Sequence, residues 1–391
     1  MNEKVVPTLP QLVDELDATK LNAPSSRRAF LARASTLSLA IPGMGAALVA
    51  CTTDRPGADS SKAARDTTRA PGAAAISPNA HQNSDSRLDS AVLKDVKHGT
   101  TTAAPGQGAA SATFHRIAPE LPPIPAGSVQ RLHWHAKQAP VRLSDDTVVA
   151  AWTFEGDIPG PFVHTRVGDT LEFTLTNDVD IPHSMDFHAA QIDPRVAFRS
   201  VAKGESVTFT FKPKYAGAFM YHCGTAPVLM HIGSGMHGAI IVSPAQALAP
   251  AKEFVLVQSE LYLADAALGV RAFDYQKMLS TFPDFVVFNS RPNQYMKDPI
   301  RVKLGDRVRF WVVNAGPTHP CNFHVVGEQF DTVYLGAPPG SPVHGVQTWD
   351  VPPGGGMCFE LQCDVAGEFP FVNHGFGHGQ KGGIGILVVE K

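Results

Sequence analysis

The sequence predicts an all-β protein made of two tandem β-sandwiches, and three observations carry that prediction. Glycine (34) and proline (32) are abundant across 391 residues while stretches of helical periodicity are scarce, the pattern of short strands joined by turns. From Phe114 onward, apolar and polar residues alternate in short runs cut by Pro, Gly and Asp, as half-buried strands require. The chain also repeats itself. RVGDTLEFTLTN at 166–177 parallels KLGDRVRFWVVN at 303–314, with Gly168-Asp169 matching Gly305-Asp306. MDFH ending at His188 parallels CNFH ending at His324, YAGAFMYHC parallels VAGEFPFVNH, and GMHGAIIV parallels GGIGILVV. Each half reads as strand, turn, strand, a histidine-bearing strand and a glycine-marked hairpin into a final strand. That is an antiparallel sandwich of roughly 130 residues, an ordinary domain size.

Taken in order along the chain, residues 1–51 form a signal. Paired Arg27 and Arg28, then Phe30 and Leu31, lead into a mildly apolar run that ends Leu48-Val49-Ala50-Cys51. The segment resembles a twin-arginine export signal closing in a bacterial lipoprotein cleavage box, with Cys51 the residue that would carry lipid. Residues 52–112 are Ala, Ser, Thr, Gly, Pro and Asp with few aromatics. Such a segment buries too little apolar surface to offset the entropy of ordering, and it reads as a flexible low-complexity tether. The first sandwich follows at 113–245 and the second at 250–391, divided near SPAQALAPAKE at 243–253.

Composition excludes some classes. With 43% hydrophobic and 18% charged residues the chain fills two cores. A formal charge of −3 leaves no basic stripe for nucleic acid. No apolar run is long and clean enough for a mature transmembrane helix, so membrane attachment is expected through the lipid alone.

The two halves share a rhythm but not their chemistry. YHCGTAPVLMHIGSGM, Tyr221 to Met236, places His222, Cys223, His231 and Met236 in one loop. A thiolate, two imidazoles and a distant thioether are the ligand set of a blue-copper centre. Cys223, His231 and Met236 supply three, and DIPHSMDFHAA offers His183 and His188 for the fourth. His222 and Cys223 are adjacent on a strand, so their side chains point to opposite faces. Cys223 can therefore serve one metal while His222 serves another. The second half has Asn373-His374 in place of His222-Cys223 and no methionine in the matching hairpin.

PHSMDFHAA, FNSRPNQY, NFHVVGEQFD and FVNHGFGHGQKGGIGIL, together with that loop, resemble the two-domain copper-containing nitrite reductases from about residue 114 to the end. The resemblance implies two cupredoxin-like Greek-key domains per subunit and a homotrimer. It implies a type 1 copper on His183, Cys223, His231 and Met236. It also implies a type 2 copper on His188 and His222 of one subunit and His374 of its neighbour. Three imidazoles leave an open position, as a catalytic metal needs. The reaction implied is one-electron reduction of nitrite to nitric oxide. Asp186, two residues before His188 and so on its face, matches the family's catalytic aspartate. His324 matches the catalytic histidine, and an imidazole there suits proton transfer. Val326 matches the aliphatic residue over the copper that shapes nitrite docking. Electrons would come from a small periplasmic cytochrome c or cupredoxin, and the protein is expected in the periplasm or at the cell surface.

Two alternatives are weighed on particular residues. A laccase-type oxidase needs several His-x-His pairs, one of them His-Cys-His, around a trinuclear cluster. Here Gly224 follows Cys223, and the His133/His135 pair is misplaced for that role, sitting before the first sandwich strand at an edge. An electron carrier or copper-storage protein using only the type 1 centre would not require Asp186, His188, His222, His324 and His374 together. A copper oxidase acting on oxygen or another small nitrogen oxide at the same type 2 site is left open, because a small open copper site discriminates weakly between such ligands. His237, His319, His344 and His378 read as turn histidines facing solvent. Of the remaining cysteines, Cys358 and Cys363 are five apart and face opposite sides of a strand, which argues against pairing. A bond from Cys321 to either is left open.

Overall fold

The computed structural model describes residues 113–267 and 269–391. The segments expected to be an export signal and a tether, with Cys51, lie outside the described residues. The first half contributes β1 (Val129–Arg142), β2 (Val148–Phe154), β3 (Val163–Arg166), β4 (Thr170–Asn177), β5 (Asp186–Phe187), β6 (Ser206–Phe211), β7 (Gly217–His222) and β8 (His237–Ser243). From β9 (Lys252–Leu261) the chain continues through β10 (Leu263–Ala267), β11 (Val270–Phe273), β12 (Phe285–Phe288), β13 (Ile300–Lys303), β14 (Arg307–Gly316) and β15 (Cys321–Val325). It ends with β16 (Phe330–Tyr334), β17 (Pro342–Val346), β18 (Thr348–Val351), β19 (Gly356–Gln362), β20 (Gly367–Asn373) and β21 (Ile384–Glu390).

Four sheets result, in the orders β10-β11-β2-β1-β4-β6, β3-β8-β7-β5, β12-β9-β14-β19-β16-β17 and β13-β21-β20-β15-β18. Alternation in the sequence becomes alternation of burial. Leu171, Phe173 and Leu175 of β4 and Val207, Phe209 and Phe211 of β6 point inward while their neighbours face out. The first core closes on Trp134, Phe173, Phe187 and Tyr221, with Trp134 edge-on to Phe173 at 5.3 Å. The second closes on Phe310, Phe323, Phe359 and Phe371. A third cluster joins the sandwiches, setting Ala218, Met220 and Ile241 against Val255, Val257, Trp311 and Val313.

The repeat read from sequence extends to topology. β4 lies parallel to β1 and antiparallel to β6, as β14 lies parallel to β9 and antiparallel to β19. β8 lies parallel to β3 and antiparallel to β7, as β21 does with β13 and β20. The expectation of purely antiparallel sandwiches is therefore corrected to mixed sheets. Because β3 passes through the opposite sheet, the chain returns as β4 pointing the same way as β1.

Two further placements differ from expectation. Residues 263–273, assigned by sequence to the second half, add β10 and β11 to the first sheet beside β2. Leu263, Phe273 and Met278 are buried in the first core, so this excursion covers an edge that would otherwise be open. His133 and His135 lie within β1 and not before it, paired with Thr174 and Thr176 of β4 on one side, ahead of the stretch from Ala136 onward that pairs with β2. Their rings stack at 5.0 Å on the outer face, where His133 Nε2 meets the Thr176 hydroxyl and His135 Nδ1 the Asp178 carboxylate.

Candidate metal centres

Cys223 follows the last residue of β7, and the chain then turns through a short helix, Val228–Gly233, to β8. That helix carries His231, while His183 precedes β5 and is held by backbone pairing with Val201. The three donors meet in a wholly buried pocket. His231 Nδ1 is 3.2 Å and His183 Nδ1 3.8 Å from Cys223 Sγ, with the two Nδ1 atoms 3.1 Å apart. Met236 is fully buried in the same loop, its carbonyl accepting from the Cys223 N–H and its N–H donating to the His231 carbonyl. Gly235, at φ +117°, admits this path. A Cβ there would lie 2.9 Å from the Trp152 carbonyl and overlap the Ile158 side chain.

The electrostatics suit a soft cation. Burial alone would raise the Cys223 thiol, but the His183 imidazole and the N–H groups of Ser184 and Thr225 outweigh it and bring it below its usual range. Burial lowers His183 and pushes His231 down to about 3, so both imidazoles stay neutral and keep the lone pairs a metal needs. A buried thiol held below its usual range, facing two neutral Nδ1 atoms in a loop that also buries Met236, fits copper. Sequence reasoning missed two neighbours. Trp152 stands edge-on to His183 and His231 at 5.7 and 4.8 Å. Ser184 donates its N–H to Cys223 Sγ at 3.4 Å, and its hydroxyl oxygen accepts from Gly224 N. No spacing rule exposes Trp152, whereas Ser184 stands beside His183 in the sequence.

On the other side of the His222-Cys223 peptide, Asp186, His188 and His222 form a second donor group. Asp186 is paired in register with His222 across β5 and β7. His188 Nδ1 lies 2.9 Å from the Gly354 carbonyl and His222 Nδ1 2.9 Å from the Cys223 carbonyl. A carbonyl only accepts, so each Nδ1 carries the proton and each Nε2 presents a lone pair. Those two lone pairs face one another at 3.0 Å. The opposition is relieved by a cation bound to both, and the donor set therefore fits a metal. Asp186 Oδ2 is 3.6 Å from His222 Nε2. Burial raises the Asp186 carboxyl against the opposing pull of His222 and His188.

His374 is not in this group within one chain. It is exposed beyond the end of β20, with its ring 5.3 Å from that of His324. His324 Nδ1 donates to the Gln347 carbonyl at 2.6 Å, and Val326 is exposed one residue past β15. The site residues thus fall into three sets, and the third presents an open face of the second sandwich. Among the other histidines, His237 departs most from the solvated turn expected. It begins β8, is fully buried, and is pushed down to about 4 by that burial. His319 and His378 are half-buried with rings 4.6 Å apart; His344 is exposed on β17. Cys321, Cys358 and Cys363 are free thiols, all buried.

Paired sandwiches, a buried His–Cys–His group and a second histidine group one peptide away define a cupredoxin-type copper protein. The multicopper oxidase family model matches residues 133–247. Copper-containing nitrite reductase of Neisseria meningitidis is 37% identical over 287 residues, which span 70% of this chain and 73% of the relative. That of Cereibacter sphaeroides is 30% identical over 64% of this chain and 73% of its own. Among solved structures, copper nitrite reductase of Nitrosomonas europaea superposes with a TM-score of 0.63 at 34% identity, covering 67% of this chain and 94% of that one. The chain belongs to the copper-containing nitrite reductase family, and it is a copper-dependent oxidoreductase.

Proposed function

We propose that this enzyme reduces nitrite to nitric oxide and water, consuming one electron and two protons per turnover. His183, Cys223, His231 and Met236 would hold a type 1 copper, and His188, His222 and the partner subunit's His374 a type 2 copper. The observation that carries this reading is the covalent His222-Cys223 link between a buried thiolate group and an open histidine group. Copper bound at the first group supplies one-electron exchange, and copper bound at the second supplies a Lewis-acidic open position for a small anion.

The protein's own groups handle the protons. Asp186 sits beside His188 and His222 in a part-buried place that raises its carboxyl, which suits donation to a nitrite oxygen. His324 keeps its proton on Nδ1 through the Gln347 carbonyl, leaving Nε2 to relay the second. Because His324 stands against His374 in one chain, a neighbour that supplies the third ligand brings its own His324 into the same site. Val326 stands one residue beyond the β15 strand that carries His324 and would restrict how nitrite lies. This reading makes the working unit a ring of three copies. It takes electrons from a small periplasmic cytochrome c or cupredoxin, is exported by the twin-arginine route, and is anchored through lipid on Cys51.

Nitric oxide release from the copper-loaded protein, kept oxygen-free with nitrite and a reduced dye, tests the reading at an electrode. The expected result is sustained release that His374→Ala abolishes while the visible colour survives. A coloured wild-type protein that releases none would leave an electron carrier in its place.

A further inference from the structure

The two histidines assigned to different shared sites, His188 and His374, are joined inside one chain by a buried run of side-chain amides. Asn373, Gln258 and Asn314 are each fully buried. Asn373 Nδ2 donates to Gln258 Oε1 at 2.7 Å and to the Pro320 carbonyl at 3.0 Å. Its Oδ1 accepts from the N–H of Gly375 at 2.9 Å, which fixes the turn immediately after His374. The His374 N–H itself donates to the Asn322 carbonyl at 2.7 Å. In the other direction, Gln258 Nε2 donates to Asn314 Oδ1 at 3.4 Å, across the parallel pairing of β9 with β14. The Asn314 carbonyl accepts from Gly354 N–H at 2.8 Å, and the Gly354 carbonyl accepts from His188 Nδ1 at 2.9 Å. Gly354 has φ +77°, and its α-carbon packs so near His188 that an added Cβ would stand 3.4 Å from Cε1.

We infer that Gln258 is a positioning residue for the histidine copper site. It sits between the turn that sets the tautomer of His188 and the turn that aims His374. The inference rests on the proposed reading of both histidines as ligands. A buried amide with every partner satisfied is rigid, because no water is available to substitute for a lost bond. Outer groups that orient a metal's imidazoles by such bonds typically change metal affinity or activity 10–100-fold when removed. Since His188 serves its own chain's site and His374 a neighbour's, one amide bridge acts on two sites of a trimer.

The experiment uses the full copper-loaded protein with Gln258→Leu and, separately, Asn373→Asp. The second variant keeps the Oδ1 that accepts from Gly375 and loses the donor to Gln258. Chelator competition measures retention of the second copper, electron paramagnetic resonance reads its ligand field, and the visible band and unfolding midpoint serve as controls. The expected result is about 10–100-fold weaker retention and an altered resonance of the second copper, with the visible band in place. Wild-type retention and spectrum in both variants would overturn the inference. So would loss of the visible band and of cooperative unfolding in both, since that assigns the amides to folding alone. If Gln258→Leu does not fold, Asn373→Asp decides. A wild-type protein that takes up one copper per chain would overturn the functional reading and this inference with it. Two coppers per chain with unperturbed variants would overturn this inference only.

Discussion

His237 shows what burial does to one side chain of known chemistry. Its Nδ1 donates to the Ile232 carbonyl, its Nε2 has no hydrogen-bond partner, and the ring is pushed down to about 4. A histidine with a depressed folded pKa contributes its stability in full above its unfolded value of about 6.5, and that stability is lost as pH falls towards 4. The loss from this group between pH 7 and 4 comes to about 3 kcal/mol. Unfolding free energies of wild type and His237→Gln, both copper-loaded, should converge by that amount over this range. A difference independent of pH would show that His237 binds its proton equally in both states. The sequence reading placed His237 in a solvated turn. Its burial comes from facing His222 across β7 and β8, a relation set by pairing and not by spacing. Cys223, His231 and Met236 were legible for the opposite reason, since one short loop carries all three.

At the scale of the element, the loop from β7 to β8 works because its backbone is dictated residue by residue. Gly235→Ala places a Cβ at a left-handed φ and against the Trp152 carbonyl. It should cost about 2–4 kcal/mol of stability and shift or weaken the visible band, because Met236 follows directly. An unchanged band and midpoint by thermal melting would show that the loop accommodates the methyl group. The turns after β4 and β14 show a device common to both halves of the repeat. Asn177 and Asn314 close the matching segments RVGDTLEFTLTN and KLGDRVRFWVVN, and both are fully buried. Asn177 donates to the carbonyls of Ile181 and Val201, and Asn314 to those of His319 and Val351. Each then accepts an N–H two residues on, from Val179 and Gly316. Each asparagine thus shapes the turn that leads to its half's histidine-bearing strand. The antiparallel expectation failed at this scale because alternation identifies a strand but says nothing about the direction of its neighbour.

For the whole molecule, the decisive feature is that the residues proposed for the histidine site stand in two separate groups on one chain. Asp186, His188 and His222 lie on the first sandwich, and exposed His374 stands with His324 on the second. Exposed Phe376 packs its ring 4.7 Å from that of His374, which places apolar surface beside the ligand expected to enter a neighbour. If the proposed trimer forms through this face, substitution of Phe376 by Asp should shift it to monomer by light scattering. The monomer should keep the visible colour, lose the second copper and release no nitric oxide. A trimer with full activity would place the subunit contact elsewhere on the molecule.

The sequence alone determined the all-β class and the two-fold repeat and singled out the candidate donors, because strand periodicity, turn residues and ligand spacing are local properties of the chain. It also separated His222 from Cys223 onto two faces, since neighbouring residues of a strand must diverge. Tertiary structure decided the rest. It supplied the Gly354 carbonyl that sets the tautomer of His188, the Ser184 and Trp152 environment of Cys223, the placing of residues 263–273 on the first sheet, and the amide run through Gln258. Each of these joins segments far apart in sequence, and only packing into a common core brings such segments within hydrogen-bonding distance.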